Sequence, residues 1–236
     1  MPADLALVLP CYNPPTDWAA NVVASMERLR QELPNGTQVH LYLVNDGSSR
    51  GIAEADIDLL RREVPQFTYL SYPTNCGKGY ALRHGVSQVQ EALCLFTDID
   101  FPYQEYSMAT LYAALRTGAC NLAVGVRDAA YYAQVPAARR RVSLLLRRFT
   151  RHLLRLPIDD TQCGLKGFDA TGREQFLRTT TDRYLFDLEL LLLASRQPAV
   201  RVQPIPVSLK PGVVLSPLNT KVLLAESRNL WRLVWQ

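Results

Sequence analysis

Short apolar segments alternate with longer helical segments along the first half of the chain, and this alternation restricts the fold more than any other feature. The predicted strands lie at 5–9, 39–44, 67–70, 92–96 and 122–126. The predicted helices lie at 18–33, 54–64, 80–90 and 106–116. Strands that are apolar on both faces and joined by single helices are typical of a parallel sheet covered on both sides. The sequence therefore predicts an α/β fold with a mostly parallel, doubly wound sheet, with ligands beyond the carboxyl ends of its strands.

Length, charge and cysteine content limit the classes of protein to which the chain can belong. Its 236 residues fit one large α/β domain. A formal net charge of +4 gives no indication of nucleic-acid binding, so we expect no nucleic-acid partner. The five cysteines include no C-x-x-C pair, which argues against a disulfide framework or a zinc site and favours a reducing compartment. We see no secretory leader and no uncharged apolar run of ~18 residues, so we expect a cytoplasmic chain with any membrane contact limited to its surface.

Two aspartates, Asp98 and Asp100, follow the fourth predicted strand with one residue between them. In an extended segment both carboxylates would point to the same side. Carboxylates so arranged can bind one hard divalent cation, Mg²⁺ or Mn²⁺, which in turn bridges a diphosphate. The alternative is a pair of solvated loop acids. At the end of a buried strand the metal site is favoured, because desolvating two carboxylates without a counter-ion is costly.

Two further segments at strand ends suit a nucleotide. Asp46 follows the second strand, where it can either accept hydrogen bonds from a base or ribose or form an Asx turn into the next helix. Gly77 and Gly79 flank Lys78 at the start of the third helix, a pattern that suits close approach of a phosphate. The P-loop pattern does not fit these residues, and no G-x-G-x-x-G follows the first strand, which argues against a dinucleotide-binding domain.

Taken together, the motifs resemble the signature of glycosyltransferase family 2. In chain order they are L-P-C-Y-N from residue 9, V-N-D-G-S from 44, N-C-G-K-G-Y-A-L-R-H-G from 75 and T-D-I-D from 97. Two later segments, D-T-Q-C-G-L-K-G-F from residue 160 and F-D-L-E-L-L from 186, are similar to the branch of dolichyl-phosphate glucosyltransferases and polyprenyl-phosphate mannosyltransferases. The resemblance covers residues 5 to 235 and implies a GT-A type fold with helices on both faces of the sheet.

The resemblance implies a metal-dependent hexosyltransferase. Its expected donor is a nucleoside-diphosphate sugar, with uridine favoured over guanosine, and its expected acceptor is a polyprenyl phosphate. Asp98 and Asp100 would hold Mg²⁺ or Mn²⁺. The alternative is that Asp100 is the firmer metal ligand and Asp98, nearer the strand, mainly contacts the nucleotide. The residues expected around the nucleotide-sugar are Pro10, Tyr12, Asn13, Asp46, Gly77, Lys78, Asp98 and Gln162. The residues expected to act on phosphate groups or in catalysis are Lys78, Arg127, Arg141 and Asp187.

These assignments predict inverting transfer by direct displacement at the anomeric carbon of the sugar. The metal and Lys78, or a nearby arginine, would stabilise the leaving nucleoside diphosphate. A phosphate acceptor is already a nucleophile, whereas a hydroxyl acceptor needs a base, for which Asp187 is the candidate and Glu189 the weaker choice. The alternative for both acids is a carboxylate at the start of a helix, near the positive end of its dipole.

A basic segment in the second half predicts an amphipathic helix at 138–155. Seven arginines fall between Arg139 and Arg155, and an apolar stripe that begins at Val142 lies opposite them. Such a helix can pack on the domain with a solvated basic face, or lie on an anionic membrane surface, which the collection of a lipid phosphate favours. Trp231 and Trp235 allow the same two alternatives. Within the single domain, 1–127 would bind the nucleotide-sugar and 128–236 would form the acceptor half.

Three other functions are open. A family 2 enzyme of this kind could use a hydroxyl acceptor, such as a glycan. A sugar nucleotidyltransferase also uses an acid pair at a sheet edge, but it should carry a glycine-rich basic loop after the first strand, which residues 11–16 lack. A catalytically inactive sugar-binding protein is disfavoured because both Asp98 and Asp100 are present.

Overall fold

Seven strands form one sheet in the computed structural model, which describes residues 4–127, 158, 160–211 and 213. The strands are β1 (Leu5–Cys11), β2 (Val39–Asp46), β3 (Phe67–Tyr72), β4 (Leu93–Phe96), β5 (Leu122–Arg127), β6 (Lys166–Phe168) and β7 (Val202–Val207). The helices of the described residues are α1 (Trp18–Glu32), α2 (Glu54–Glu63), α3 (Lys78–Val86), α4 (Glu105–Arg116), α5 (Ala170–Leu177) and α6 (Phe186–Ser195). The strand order is β3-β2-β1-β4-β6-β5-β7. Only β6 runs antiparallel to its neighbours, so the prediction of a mostly parallel sheet is confirmed.

Successive residues of β1 point to opposite faces of the sheet, and both faces are buried. Leu7 and Leu9 belong to a core formed with α1, α2 and α4. Ala6 and Val8 belong to a second core, formed with α3, α5 and α6. Because each face has its own apolar layer, the strands have no polar side, which explains the uninterrupted apolar runs in the sequence. The predicted helices on both faces are confirmed.

Two strands were not predicted from the sequence, and each departs from ordinary strand patterns. β6 has three residues and includes a lysine. Gly167 at its centre packs against β4 so closely that a Cβ there would lie 2.1 Å from Leu95 Cδ2. β7 contains Pro204 and Pro206, and proline is tolerated in a sheet chiefly at an edge, where β7 lies in this order. These two strands bring the second half of the chain into the sheet.

Within the described residues, no helix is both long enough and apolar enough to cross a membrane. The predicted basic helix at 138–155, with Arg141, lies outside those residues, as do Trp231 and Trp235.

Candidate active site

The loops that follow β1, β2, β3 and β4 emerge at one edge of the sheet, because these four strands are parallel. The loop after β1 begins with the predicted residues. Pro10 is half-buried near the end of the strand, and Tyr12 is 51% exposed. Tyr12 is therefore accessible from solvent, and its contact with a nucleotide-sugar stays a prediction.

Asn13 joins the loop after β1 to the loop after β2. Its Oδ1 accepts hydrogen bonds from Ser49 N at 3.0 Å and Arg50 N at 3.2 Å. Its own N–H donates to Ser48 Oγ at 2.9 Å. The backbone of Asn13 has φ 45°, a conformation that asparagine tolerates better than most residues. The side chain of Asn13 thus helps to fix the two loops in place. Its Oδ1 is used in these bonds, and its NH₂ group is the part that could contact a ligand.

Asp46 is buried and its carboxylate accepts three hydrogen bonds from the loop before α3. The donors are Asn75 Nδ2 at 2.8 Å, Cys76 N at 2.7 Å and Gly77 N at 2.9 Å. The alternative of an Asx turn at Asp46 is not seen, and the neighbouring Asn45 bonds this loop instead, with its Oδ1 accepting from Ser48 N at 2.9 Å. In this arrangement Asp46 fixes the position of the loop that carries Lys78, and a direct contact with a nucleoside stays a prediction.

The glycines at the head of α3 allow a close approach of the protein's own backbone. The N–H groups of Gly79 and Tyr80 both donate to Asp182 O, at 2.7 and 3.2 Å. A Cβ at Gly77 would lie 2.5 Å from Asp182 O, and one at Gly79 would lie 2.4 Å from the carbonyl oxygen of residue 181. These donors are already paired, so phosphate binding at this helix would depend on the ammonium of Lys78 rather than on free N–H groups.

Lys78 and Asp98 form an ion pair at the centre of the site. Lys78 Nζ donates to Asp98 Oδ1, with side chains 21% and 38% exposed. Burial opposes protonation of Lys78, but the charges of Asp98 and Asp187 outweigh it, and its pKa lies above the ordinary 10.5. The other oxygen of Asp98 faces Gly164, where a Cβ would lie 2.6 Å from Oδ2. Any side chain at position 164 would therefore push Asp98 away from this position.

Asp98 and Asp100 lie in a tight turn rather than in the extended segment that the sequence suggested. Phe101 N donates to Asp98 O at 3.0 Å, and Phe101 has φ 45°. Desolvation and the neighbouring charge of Asp98 raise the pKa of the Asp100 carboxyl, so the two carboxyl groups are electrostatically coupled across the turn.

The donor set of this turn suits Mg²⁺ or Mn²⁺, which prefer carboxylate oxygens and retain several outer ligands. Across the described ranges, no group of three or more His, Cys, Asp or Glu side chains is arranged to hold a metal ion. A cation held by Asp98 and Asp100 would need further ligands beyond these two carboxylates.

Asp187, the candidate base, is buried near the start of α6. Its Oδ1 accepts from Lys166 Nζ at 2.6 Å. Burial raises the pKa of Asp187, whereas Lys166 and Lys78 lower it, and the net direction is upward. Glu189 lies two residues further on and accepts hydrogen bonds from the backbone N–H groups of Thr180 and Thr181, at 2.9 and 2.8 Å. Glu189 therefore secures the loop before α6.

Arg127, predicted to bind a phosphate, is paired with Asp160. Its Nε lies 2.9 Å from Asp160 Oδ2 and its Nη2 lies 2.6 Å from Oδ1. Arg127 N also donates to Oδ2, at 2.8 Å. Gln162 follows closely in the chain, and its Nε2 is buried without a hydrogen-bond partner among the residues that the structure describes. The contact of Gln162 with a donor sugar stays a prediction.

Sequence reasoning gave no role to Lys166, Asp160 or Gly164, although the structure brings all three into the site. Lys166 carried the clearest signal, because a lysine between Leu165 and Gly167 in an apolar segment needs a buried acid. Its partner lies 21 residues away, beyond the range of any local pattern. Arg141, the other predicted phosphate ligand, lies outside the described residues.

Comparison with known protein families and curated proteins supports the motif assignment. The family model described as glycosyl transferase family 2 matches residues 6–177. A dolichyl-phosphate β-glucosyltransferase of Trichomonas vaginalis is 31% identical over 218 residues, covering 84% of this chain and 62% of that protein. The dolichyl-phosphate β-glucosyltransferase of Saccharomyces cerevisiae is 26% identical over 225 residues, covering 86% of this chain and 66% of that protein. The chain therefore spans less than two thirds of the length of these relatives.

Solved structures with low sequence identity share the fold. Glucosyl-3-phosphoglycerate synthase from Mycobacterium tuberculosis, in complex with Mn²⁺, UDP and phosphoglyceric acid, matches with a TM-score of 0.68 and 17% identity, covering 98% of this chain and 77% of that one. Mannosyl-3-phosphoglycerate synthase from Rubrobacter xylanophilus matches with a TM-score of 0.65 and 15% identity, covering 98% of this chain and 73% of that one. The GT-A type fold expected from the motifs is thereby confirmed.

Proposed function

The chain belongs to glycosyl transferase family 2, and we propose that it moves a hexose from a nucleoside-diphosphate sugar to a polyprenyl phosphate, with inversion at the anomeric carbon. The observation that carries this proposal is the meeting of Asp98, Asp100 and Lys78 at the carboxyl edge of the sheet. Two carboxylates for a divalent cation and one ammonium group are what a departing diphosphate requires.

The residues of the chain would act mainly by position and charge. Mg²⁺ or Mn²⁺ on Asp98 and Asp100 would neutralise charge on the leaving diphosphate. Lys78 would donate to the same diphosphate from the head of α3, where Asp46 holds its loop. Gln162 would use its buried Nε2 to orient the sugar. The hydrogen bonds of Asp46 position the loop that carries Lys78 before the donor arrives, which lowers the cost of reorganisation in the transition state.

A phosphate acceptor suits the state of Asp187 better than a hydroxyl acceptor does. A hydroxyl would have to give its proton to a carboxylate within hydrogen-bond reach. Oδ1 of Asp187 already accepts from the buried ammonium of Lys166, and the side chain is almost wholly enclosed. A lipid phosphate is a nucleophile at neutral pH and needs no such base. The names of the curated relatives, dolichyl-phosphate β-glucosyltransferases, agree with this choice.

Uridine is the preferred base of the donor and glucose the preferred sugar. The curated relatives are named as glucosyltransferases, and one structural neighbour contains UDP together with Mn²⁺. A guanosine-diphosphate sugar is the alternative, because the motifs also resemble the polyprenyl-phosphate mannosyltransferases.

The direct test is a transfer assay that varies donor, acceptor and metal independently. UDP-glucose and GDP-mannose are each supplied with dolichyl phosphate in detergent, with Mn²⁺ or with excess EDTA. We expect a lipid-linked hexose from UDP-glucose with Mn²⁺ and none with EDTA. Full turnover in EDTA would contradict the metal site. Transfer to glycans but not to the lipid phosphate would establish a hydroxyl acceptor. Release of pyrophosphate from UTP and a sugar phosphate would establish nucleotidyl transfer, and binding of UDP-glucose without transfer would indicate an inactive sugar-binding protein.

Surface contact with an anionic membrane completes the proposal, since the acceptor head group has to be collected from a bilayer. The support is the arginine-rich sequence at 138–155. Co-sedimentation with phosphatidylserine vesicles tests it, using the double variant Arg147→Glu/Arg151→Glu beside the parent at low salt. We expect the variant to lose most of its binding, and the parent to lose its binding as salt is raised. Equal sedimentation of the two proteins would show that these arginines are merely solvated.

A further inference from the structure

Lys78 is held by the residue that the proposed reaction assigns to the metal. Its Nζ donates to Asp98 Oδ1, and the charge of Asp187 also acts on it. Gly164 lies beside both groups, since a Cβ there would lie 2.6 Å from Asp98 Oδ2 and 3.6 Å from Lys78 Nζ. The carboxylate therefore has an ammonium group on Oδ1 and the glycine next to Oδ2, while 38% of its side chain stays exposed to solvent.

An ammonium ion and a divalent cation cannot share this carboxylate without strong repulsion. Lys78 is only 21% exposed, so solvent screens that repulsion less than it would at an open surface. The lysine has two other possible partners once Asp98 is taken: Asp187, which already contributes to its electrostatic environment, and the diphosphate of a bound nucleotide. Of these, a diphosphate carries the larger charge and no competing lysine, whereas Asp187 is already paired with Lys166.

We propose that Lys78 is the resident counter-ion of Asp98, which a divalent cation displaces, and that the displaced ammonium then binds the nucleotide diphosphate. The inference rests on the proposed function in taking Asp98 as a metal ligand. Lys78 would then contribute to the coupling between metal binding and nucleotide binding. The metal frees the ammonium of Lys78 for the diphosphate, and the diphosphate keeps that ammonium away from Asp98. The metal then binds weakly alone and more strongly when the nucleotide is present. In the same way, the nucleotide binds weakly alone and more strongly when the metal is present.

Replacing Lys78 by methionine separates this role from simple phosphate binding. A lysine that only contacts phosphate would, when replaced, weaken UDP binding and leave metal binding unchanged. If Lys78 is instead the counter-ion of Asp98, its replacement should strengthen the binding of the metal alone and weaken the binding of UDP. Opposite signs for the two ligands are therefore the signature of the proposed role.

The measurement is Mn²⁺ binding to the nucleotide-free protein, followed by the paramagnetic resonance signal of free Mn²⁺. We expect Lys78→Met to bind Mn²⁺ about tenfold more tightly than the parent. The matched control is Lys210→Met, because Lys210 has a similar exposure of 19%, also acts on Asp100 and pairs with Glu105 instead of a proposed metal ligand. We expect Lys210→Met to tighten Mn²⁺ binding much less than Lys78→Met does, because Lys210 is paired with Glu105 and does not occupy a proposed metal ligand. Unchanged or weaker binding by Lys78→Met, or equal tightening in both variants, overturns the inference.

Titration of UDP in the presence of saturating Mn²⁺ completes the comparison. We expect Lys78→Met to bind UDP less tightly than the parent, so that the cooperativity between the two ligands shrinks. Asp98→Asn distinguishes this inference from the proposed function. If the parent binds no Mn²⁺ even with UDP, the proposed metal-dependent function fails. If the parent binds Mn²⁺ and Asp98→Asn does not, while Lys78→Met matches the parent, only the role of Lys78 fails.

A second readout uses the unmodified protein and does not depend on the folding of a variant. An amine-reactive reagent is applied with and without Mg²⁺, and the extent of labelling at each lysine is measured by mass spectrometry. We expect Mg²⁺ to increase labelling at Lys78 and to leave labelling at Lys210 unchanged. Labelling of Lys78 that stays the same or falls when Mg²⁺ binds overturns the inference.

Discussion

Lys166 Nζ lies 2.6 Å from Asp187 Oδ1, and the lysine side chain is completely shielded from solvent. The same ammonium donates to Cys163 O at 2.6 Å. Since an unpaired charge in the interior of a protein is costly, each member of the pair depends on the other. The pair joins β6 to the start of α6 and holds the segment that carries Gly164 against Asp98.

Removing either member of this pair should destabilise the fold strongly. We expect Lys166→Met or Asp187→Asn alone to cost about 3–5 kcal/mol of unfolding free energy, because the remaining group is left buried without its partner. The double variant should cost less than the sum of the two single variants, by at least about 1 kcal/mol. Urea unfolding of the four proteins measures this coupling.

The exposed pair of Arg61 and Glu54 provides the control, since its atoms are 2.8 Å apart but both side chains are largely solvated. The cycle of Arg61→Met and Glu54→Gln should show no measurable coupling. Additive effects at Lys166 and Asp187 would mean that their interaction contributes nothing beyond packing.

Asp100→Asn should slow transfer strongly while preserving the fold. Loss of one carboxylate from the proposed metal pair should reduce the rate about 10²–10³-fold, because charge on the leaving diphosphate is then poorly neutralised. The control is Asp58→Asn on the exposed face of α2, which should leave the rate unchanged. Initial rates with UDP-glucose measure transfer by each variant, and circular dichroism checks that each variant is folded. An active Asp100→Asn protein would remove this residue from the metal site.

Gly77 should tolerate a methyl group much less well than Gly118, although both have a positive φ, of 106° and 69°. A Cβ at Gly77 would lie 2.5 Å from Asp182 O, whereas a Cβ at Gly118 would have nothing within 4 Å. Gly118→Ala should therefore show only the backbone strain, and Gly77→Ala should cost about 1–3 kcal/mol more. Urea unfolding of the two variants gives the difference directly. Equal losses would show that the loop at Asp182 yields easily.

Glu105, at the start of α4, should make the fold sensitive to acid. Burial raises the pKa of this carboxyl, but hydrogen bonds from Lys210 and Arg28 outweigh it, and the pKa lies below the ordinary 4.5. The folded state thus binds the proton less tightly than the unfolded chain does. The stability that the carboxylate contributes is complete above pH 4.5 and is lost as the pH falls through the folded pKa.

The variant Glu105→Gln removes this titration and keeps the shape of the side chain. Thermal unfolding of the parent and the variant between about pH 7 and about pH 3 should show a difference in Tm that is largest at neutral pH and shrinks below the ordinary pKa. A difference in Tm that stays constant across this range would contradict the assignment.

Local sequence patterns were sufficient to predict the parallel part of the sheet and the edge at which its loops emerge. Apolar runs and helical periodicity depend only on residues that are near each other in the chain. They were insufficient for contacts between distant segments. The contact of Asp46 with a nucleoside stays a prediction, but its three hydrogen-bond donors lie 29–31 residues further along the chain, where no local pattern could place them. The glycines beside Lys78 admit the backbone near Asp182, which the sequence did not predict, and a phosphate contact there stays a prediction. In each case the residue type indicated the kind of contact, but the partner in that contact depended on how the loops pack.

The position of β6 has a consequence for how the chain reaches its folded state. β4 and β5 are not hydrogen-bonded to each other, and Lys166–Phe168 lies between them and pairs with both. A nascent chain that has emerged only as far as Arg127 has both strands but lacks the one that joins them. The sheet must then be closed at its centre, late, by a segment whose pairing spans a long stretch of sequence, and such closure is slow. Fragments that end after β5 should leave three strand edges open, one on β4 and both on β5, because β7 is missing as well. Such fragments should be readily digested by protease and aggregate on expression, and the full chain should resist both.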